Sequence, residues 1–383
     1  MRILFFNEGN LGTHVMGQSQ LDAALQAGLR SAPEVQARFA ALSPMGRWAR
    51  AAATRPIQPF ASARLDFRAL RWHLTQALRA RRALHTELRA WQADVVHVHS
   101  HSIAMTMGAE MRRLPVVLSV DTTVRDWSDM TPRGQPAEGR PRERPGRRKA
   151  IAMAPSLALE RYALERAALT LAWTGWTRRA VERCAPRARA VEHHPGLDLE
   201  RYRPAAHRPR ERPRILFVGG RFAEKGGDDL LAALDGLGES VELDLVTPAE
   251  VPERPGVRVH RLGPSDPLLL DLQQQADLLC LPTHRDAVPW VVLEAMACGT
   301  PVLATRVGGI PDLVEDGRAG MLLPHGDPRA LAQGLQALLA DPQRLAAMGA
   351  HARANCEERY DARRQFSRLA ELLREAARDL PNG

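Results

Sequence analysis

Short apolar runs alternate along the chain with stretches in which apolar residues recur at helical spacing. Arg2–Asn7 is an apolar run of strand length. A glycine-rich turn from Gly9 to Gly17 follows, and then Leu21, Ala24, Leu25, Gly28 and Leu29 at a helix period. Strand, glycine turn and helix is the opening of a phosphate-binding α/β unit. Val95–Val98, Val116–Val120 and Leu169–Trp173 are further strand-like runs separated by helical or loop material, so this half predicts βα repeats on a parallel sheet. From Leu65 to Trp91, Leu70, Trp72, Leu74, Leu78, Leu84 and Leu88 interleave with arginines and predict a long basic helix.

The rhythm breaks twice. Thr131–Lys149 is rich in Pro, Gly and Arg without an apolar period and reads as a mobile surface loop. Arg201–Arg214 carries three prolines and reads as an interdomain linker. After it the βα pattern restarts: strands at Arg214–Val218, Leu243–Val246, Val257–Leu262, Leu278–Leu281 and Pro301–Thr305, and helices at Asp228–Leu237, Pro289–Ala297, Pro328–Leu339 and Gln343–Glu358. A short helix begins near Ile310. The last helix, about Ala362 to Asp379, gathers Phe366, Leu369, Leu372 and Leu373 on one face. The expected architecture is α/β, with two Rossmann-like domains facing each other across a cleft: residues 1–200, a linker over 201–213, and residues 214–360, with the helix at 362–380 packing back on the first domain. Ligands of such sheets bind outside the carboxyl ends of the strands.

Composition narrows the class. The 383 residues are enough for two to three domains, and 45% hydrophobic with 25% charged residues is ordinary globular usage. The four cysteines stand far apart with no C-x-x-C pair, which argues against zinc ribbons, iron–sulfur clusters and disulfide scaffolds and for a reducing compartment. The opening apolar run is too short for a signal sequence, and no apolar stretch reaches spanning length, so a cytoplasmic protein is expected. The formal charge of +9 is concentrated: Arg47–Arg89 holds ten arginines against Asp66 and Glu87, and Thr131–Ala150 holds seven basic residues against Glu138 and Glu143. Such a face favours anionic partners. One reading is peripheral contact with an anionic membrane at its inner face, or a phosphorylated or lipid-linked partner; the other is a long helix packed on its sheet with a solvated arginine face.

Two motifs carry chemistry. Gly219-Gly220-Arg221-Phe222-Ala223-Glu224-Lys225-Gly226 follows a strand and precedes a helix. Glycines let backbone approach an anion, and Arg221 and Lys225, four apart, can clamp two phosphates. The sequence is neither a Walker A loop nor G-x-G-x-x-G. A tight turn bearing two surface cations is the plain alternative. In the second motif, Asp286 and Glu294 flank the start of the helix at Pro289, where the amides of Ala287, Val288 and Trp290 could meet an anion or a sugar hydroxyl. Glu294, in the second turn, could accept from the vicinal hydroxyls of a ribose. An N-capping Asp and a solvated Glu are the alternative.

These motifs, with the run from Glu294 through Gly299-Thr300-Pro301 to Gly308-Gly309-Ile310-Pro311-Asp312, resemble the C-terminal domain of the GT4 retaining glycosyltransferases, of GT-B fold. Pro195-Gly196-Leu197-Asp198 is similar to the turn before that family's linker, and Asp94–His99 to a strand of its N-domain. The likeness is dense from about 170 to 330 and weaker before 90. It implies that Arg221 and Lys225 hold the donor diphosphate with Gly220, that Gly12 faces it from the other domain, and that Glu294 holds the ribose. It also implies that Asp286, with Val288, Trp290 and Val291, lines the donor sugar's site. The N-domain would take the acceptor, a sugar, lipid-linked or small molecule, with His99 at a strand end as the candidate acceptor contact. Three departures stand out. Asp286 occupies the place of a Glu, Pro289 that of a Gly, and Asp121 that of a His near acceptor and donor sugar.

The residue inventory agrees with a reaction in which the protein positions its substrates and offsets the charge of a leaving diphosphate, with Arg221 and Lys225 in place of a metal and Asp121 accepting a hydrogen bond. No D-x-D occurs, so no metal site is expected, and no cofactor beyond the nucleotide-sugar co-substrate. The competing readings are a GT-B homologue that acts on nucleotide sugars without an acceptor, a non-catalytic donor-binding homologue, and a basic nucleic-acid-binding protein. The last is disfavoured because no aromatic-rich stacking strand or known module is present, so nucleic acid is not an expected partner.

Overall fold

A computed structural model describes residues 1–8, 15–30, 32–55, 67–130, 147–206, 211–237 and 240–379. Gly12 lies outside the described residues, as do 131–146 of the stretch read as a loop; the last residues of that stretch, from Arg147, open the helix Arg147–Arg166 instead.

Two parallel six-stranded sheets organise the chain. The first contains β1 (Arg2–Asn7), β2 (Gln36–Ala41), β3 (Val95–His99), β4 (Val116–Val120), β5 (Leu169–Ala172) and β6 (Ala190–Glu192) in the order β2-β1-β3-β4-β5-β6. The second contains β7 (Arg214–Val218), β8 (Glu242–Val246), β9 (Val257–His260), β10 (Leu278–Leu281), β11 (Val302–Thr305) and β12 (Gly320–Leu323) in the order β12-β11-β10-β7-β8-β9. In each sheet the chain builds outward to one side and then crosses back, so strand order reverses beside the first strand: between β1 and β3, and between β7 and β10. Open sheets leave a crevice at such a point.

Among the described residues the chain divides into two compact units. One takes the residues up to Ser128, those from Arg147 to Pro195 and those from Arg363 on; the other takes Asp129 and Met130 and runs from Gly196 to Ala362. In the first, Leu4, Phe6, Val96, Val98 and Leu118 of the sheet pack with Leu84, Leu164 and Val181 of the helices. In the second, Ile215, Phe217, Leu245, Cys280 and Leu303 pack with Leu230, Leu335 and Met348. The helix Ala362–Arg378 lies on the first unit: Phe366, Leu369, Leu372 and Leu373 are buried, Phe366 meets Phe5 with ring centroids 6.3 Å apart, and Arg374 pairs with Glu34 at 2.6 Å. The residues 201–206, read as linker, pack against the second unit: Gln274 and Gln275 donate to the carbonyls of Arg203 and Ala206, and Arg353 to that of Tyr202.

The basic helix spans Arg68–Ala90 and buries Gln76, Ala77, Ala80 and Leu84, so within the helix Leu84 is the one residue of the leucine and tryptophan stripe that is fully buried. Leu78 is exposed. Ala80 and Leu84 join the core of the first sheet, and Ala83, Leu88 and Trp91 pack half-buried against it. No helix among the described residues is long and apolar enough to cross a membrane.

Candidate active site

In the second unit the reversal point is formed by the loops that leave β7 and β10. The loop after β7 turns through Gly226, whose φ of +78° belongs to the left-handed region, and a Cβ there would stand 2.0 Å from the Pro282 carbonyl oxygen. Only glycine lets the two loops touch. They are then tied together: the His284 amide and the Thr283 hydroxyl both donate to the Glu224 carbonyl, at 2.9 and 3.3 Å. The Lys225 ammonium, thereby brought over the β10 loop, donates to the Asp286 carboxylate and, at 3.4 Å, to the Arg285 carbonyl. Arg221 pairs with Glu224 at 2.9 Å. Gly220 is exposed, and a Cβ on it would meet nothing within 4 Å. Lys225 and Asp286 are therefore brought together, with Gly220 and Arg221 earlier on the same loop as Lys225.

Asp286 does not cap the following helix, Trp290–Ala297. Pro289 is its N-cap and no side chain caps it. All eight residues of that helix are buried, among them Trp290 and Val291, with Val288 beside them. Glu294 is the single charged residue of the helix and is not solvated: it is 2% exposed. One carboxylate oxygen accepts from Tyr202 Oη at 3.3 Å and the other from Gln273 Nε2 at 2.6 Å. Burial pushes its carboxyl up to about 7, against the lowering effect of those two hydrogen bonds and of Arg201. Tyr202 and Gln273 were not singled out from the sequence. They lie 92 and 21 residues from Glu294, and no local pattern marks them.

In the first unit His99 ends β3 and stacks on Trp173, with ring centroids 5.1 Å apart, while the Trp173 indole donates to the Ser119 hydroxyl at 2.8 Å. Ser100, directly after His99, has φ +82°, a strained value for a residue with a Cβ. Asp121 follows β4, and its carbonyl accepts from the Thr177 hydroxyl at 2.6 Å. His97 is core: it is buried, and burial, with the charges of His99 and His193, lowers it to about 3. Deeper still, Glu160 accepts from the Val124 amide at 2.7 Å, and its Oε1 stands 3.1 Å from His101 Nε2. Burial carries its carboxyl to about 8, with Asp126 adding to the rise. Among the described residues no three His, Cys, Asp or Glu side chains gather as they would around a metal ion.

Two family models match this chain, one described as glycosyl transferases group 1 over residues 212–341 and one as glycosyltransferase family 4 over residues 35–201. The chain belongs to glycosyltransferase family 4. Among relatives of this family 4 member, the D-inositol 3-phosphate glycosyltransferase of Streptomyces bingchenggensis is 34% identical over 48% of this chain and 47% of its own length. That of Thermobispora bispora is 36% identical over 50% and 52%. The chain thus spans about half the length of the curated relatives it matches. Sucrose-phosphate synthase from Thermosynechococcus elongatus superimposes with a TM-score of 0.71 at 18% identity, covering 98% of both chains. HepE of Anabaena in complex with UDP gives 0.67 at 16%, covering 98% of this chain and 100% of its own. These likenesses assign the GT-B fold to the family 4 chain.

Proposed function

We propose that the protein is a retaining, metal-independent glycosyltransferase that moves a sugar from a nucleoside-diphosphate donor to an acceptor hydroxyl in cell-envelope polysaccharide or glycolipid synthesis. The observation that carries this reading is the meeting of Lys225 and Asp286 over the reversal point of the second sheet, with Arg221 on the same loop. Lys225 is held by a carboxylate until an anion arrives; a donor phosphate that takes Lys225 frees Asp286 for a hydroxyl of the donor sugar. As the bond from the sugar's anomeric carbon to the diphosphate oxygen breaks, negative charge grows on that oxygen, and Arg221 and Lys225 offset it. The same oxygen takes the proton of the acceptor hydroxyl, which bonds to the anomeric carbon on the face the diphosphate leaves. HepE has been captured with UDP and with UDP-glucose, which favours UDP as the first probe.

The acceptor belongs to the first unit in this reading, with His99 and Asp121 at the strand ends. The relatives' name points to a phosphorylated polyol as the acceptor to try first. Trp48, 73% exposed beneath the Arg47 guanidinium in the helix Arg47–Thr54, supports peripheral contact with an anionic membrane on the cytoplasmic side.

The test is UDP binding and sugar transfer by the wild type, Lys225→Ala and Arg221→Ala. A donor at 100 times its Kd adds about 2.7 kcal/mol to wild-type stability in a thermal-shift panel of nucleotide sugars. Each variant is expected to bind UDP roughly 10- to 100-fold more weakly. Undiminished binding and turnover in both variants overturns the proposal.

A further inference from the structure

The anion crevice holds more charge than its two expected cations. Arg285 precedes Asp286 in the β10 loop, and its backbone is fixed there: its amide donates to the Thr283 hydroxyl oxygen at 3.2 Å, and its carbonyl accepts from Thr283 at 3.0 Å and from Lys225 at 3.4 Å. The amide of the residue before it, His284, donates to the Glu224 carbonyl, so Arg285 follows directly the point where the β10 loop is tied to the residue that pairs with Arg221. The electrostatics agree. Burial lowers the Arg285 guanidinium's pKa, the Glu224 carboxylate raises it and the like charge of Arg221 lowers it again. Glu224 is itself largely withdrawn from water, its side chain 13% exposed.

Resting on the donor reading above, we propose that Arg285 is a third cation of the diphosphate site and that Glu224 is a built-in counter-ion, shared by Arg221 and Arg285, which gives way when a nucleoside diphosphate binds. Arg221, Lys225 and Arg285 stand with Glu224 and Asp286 on the two joined loops. Three cations left without counter-ions would repel one another across a crevice partly withdrawn from screening solvent. The two carboxylates hold them in place, and each is exchanged for phosphate oxygens on binding. Glu224 thus opposes the ligand twice: it competes for Arg221 and Arg285, and its charge repels the phosphates.

The sign of one substitution separates this role from scaffolding. The probe is UDP, with GDP and ADP alongside, titrated calorimetrically into the full chain. Glu224→Gln keeps size and hydrogen-bonding reach while removing the charge, and is expected to tighten UDP about threefold or more. Arg285→Gln is expected to weaken UDP about tenfold and to flatten the salt dependence of its Kd, while Arg285→Lys restores both in part. Weaker binding by Glu224→Gln, in a protein whose melting temperature is unchanged, makes Glu224 a scaffold for Arg221 and overturns the proposal. So does an Arg285→Gln variant with wild-type affinity and salt slope. If Lys225→Ala loses UDP while these two variants behave like wild type, only the present inference fails. If the wild type binds none of the three nucleotides, the donor reading fails and takes this one with it.

Discussion

Replacing Glu294 by Gln should stabilise the protein at alkaline pH while impairing the site. The carboxylate is 2% exposed, and its two partners, Tyr202 and Gln273, are neutral. Its pKa stands near 7 in the fold, raised from the ordinary 4.5, so the folded protein holds a proton that the unfolded chain has released. Below pH 4.5 the group is neutral in both states and its burial costs little. As pH rises from 4.5 to 7 the unfolded chain ionises first, and stability falls until the folded state ionises too. A rise from 4.5 to about 7 corresponds to about 3 kcal/mol at 1.36 kcal/mol per pH unit. The amide that Glu294→Gln introduces cannot ionise, and Gln273 can turn its own amide to present an oxygen to the new donor. The unfolding free energy of Glu294→Gln minus that of wild type, measured in guanidinium chloride, should therefore grow by about 3 kcal/mol between pH 4.5 and pH 8. The same variant should bind UDP more weakly if ribose displaces Tyr202 or Gln273 from the carboxylate. A difference that stays flat with pH, or that shrinks as pH rises, refutes the reasoning.

Glu160→Gln should show the same sign in the first unit: with its carboxyl near 8, the variant's advantage should grow by about 5 kcal/mol between pH 4.5 and 8.5, read from denaturant unfolding. The buried histidines work in the opposite sense: His97 and His101, lowered to about 3, resist protonation, so their share of the stability is lost as pH falls below 6.5; in wild type Glu160 and Glu294 offset that loss down to about pH 4.5, and below it stability should drop in wild type and variants alike. Gly226→Ala forces a Cβ against the Pro282 carbonyl at a left-handed φ, and should lower stability by about 2 kcal/mol in thermal unfolding and loosen UDP binding by separating the two loops. Trp48→Ala should reduce cosedimentation with phosphatidylserine vesicles and leave the weak association with phosphatidylcholine vesicles unchanged; equal loss on both removes the case for an anionic surface.

The central strands were legible because they are buried on both faces and read as continuous apolar runs, as in β4, whose five residues are all buried. The strands that sequence reading passed over are sheet edges: β2 is half exposed throughout, β6 has three residues, and β12 alternates. The helix Arg147–Arg166 was hidden differently. It carries Pro155, and its buried face includes Ser156 and Glu160, so polarity along the sequence contradicts burial in the fold. The closeness of Lys225 and Asp286 was legible because they lie on the loops that leave the adjacent strands β7 and β10, where topology decides the neighbourhood. The inward turn of Glu294 was not, since it depends on two residues remote in sequence that supply its hydrogen bonds.

The two departures from the family pattern at this site are absorbed by the local structure, for different reasons. Pro289 lacks an N–H, but it stands at the N-cap with φ −73°, where that group has no intrahelical partner, and its carbonyl still accepts from the Val292 amide at 3.2 Å. The helix bearing Glu294 therefore begins as it would with any other residue there. Asp286 is one methylene shorter than Glu, which brings the site to the carboxylate rather than the reverse. Its backbone is pressed against Gly308, where a Cβ would lie 2.0 Å from the Asp286 carbonyl, and the Gly309 amide donates to the neighbouring Ala287 carbonyl at 2.7 Å. With its main chain pressed against Gly308 and the carbonyl before it bonded to Lys225, the short side chain still reaches the Lys225 ammonium.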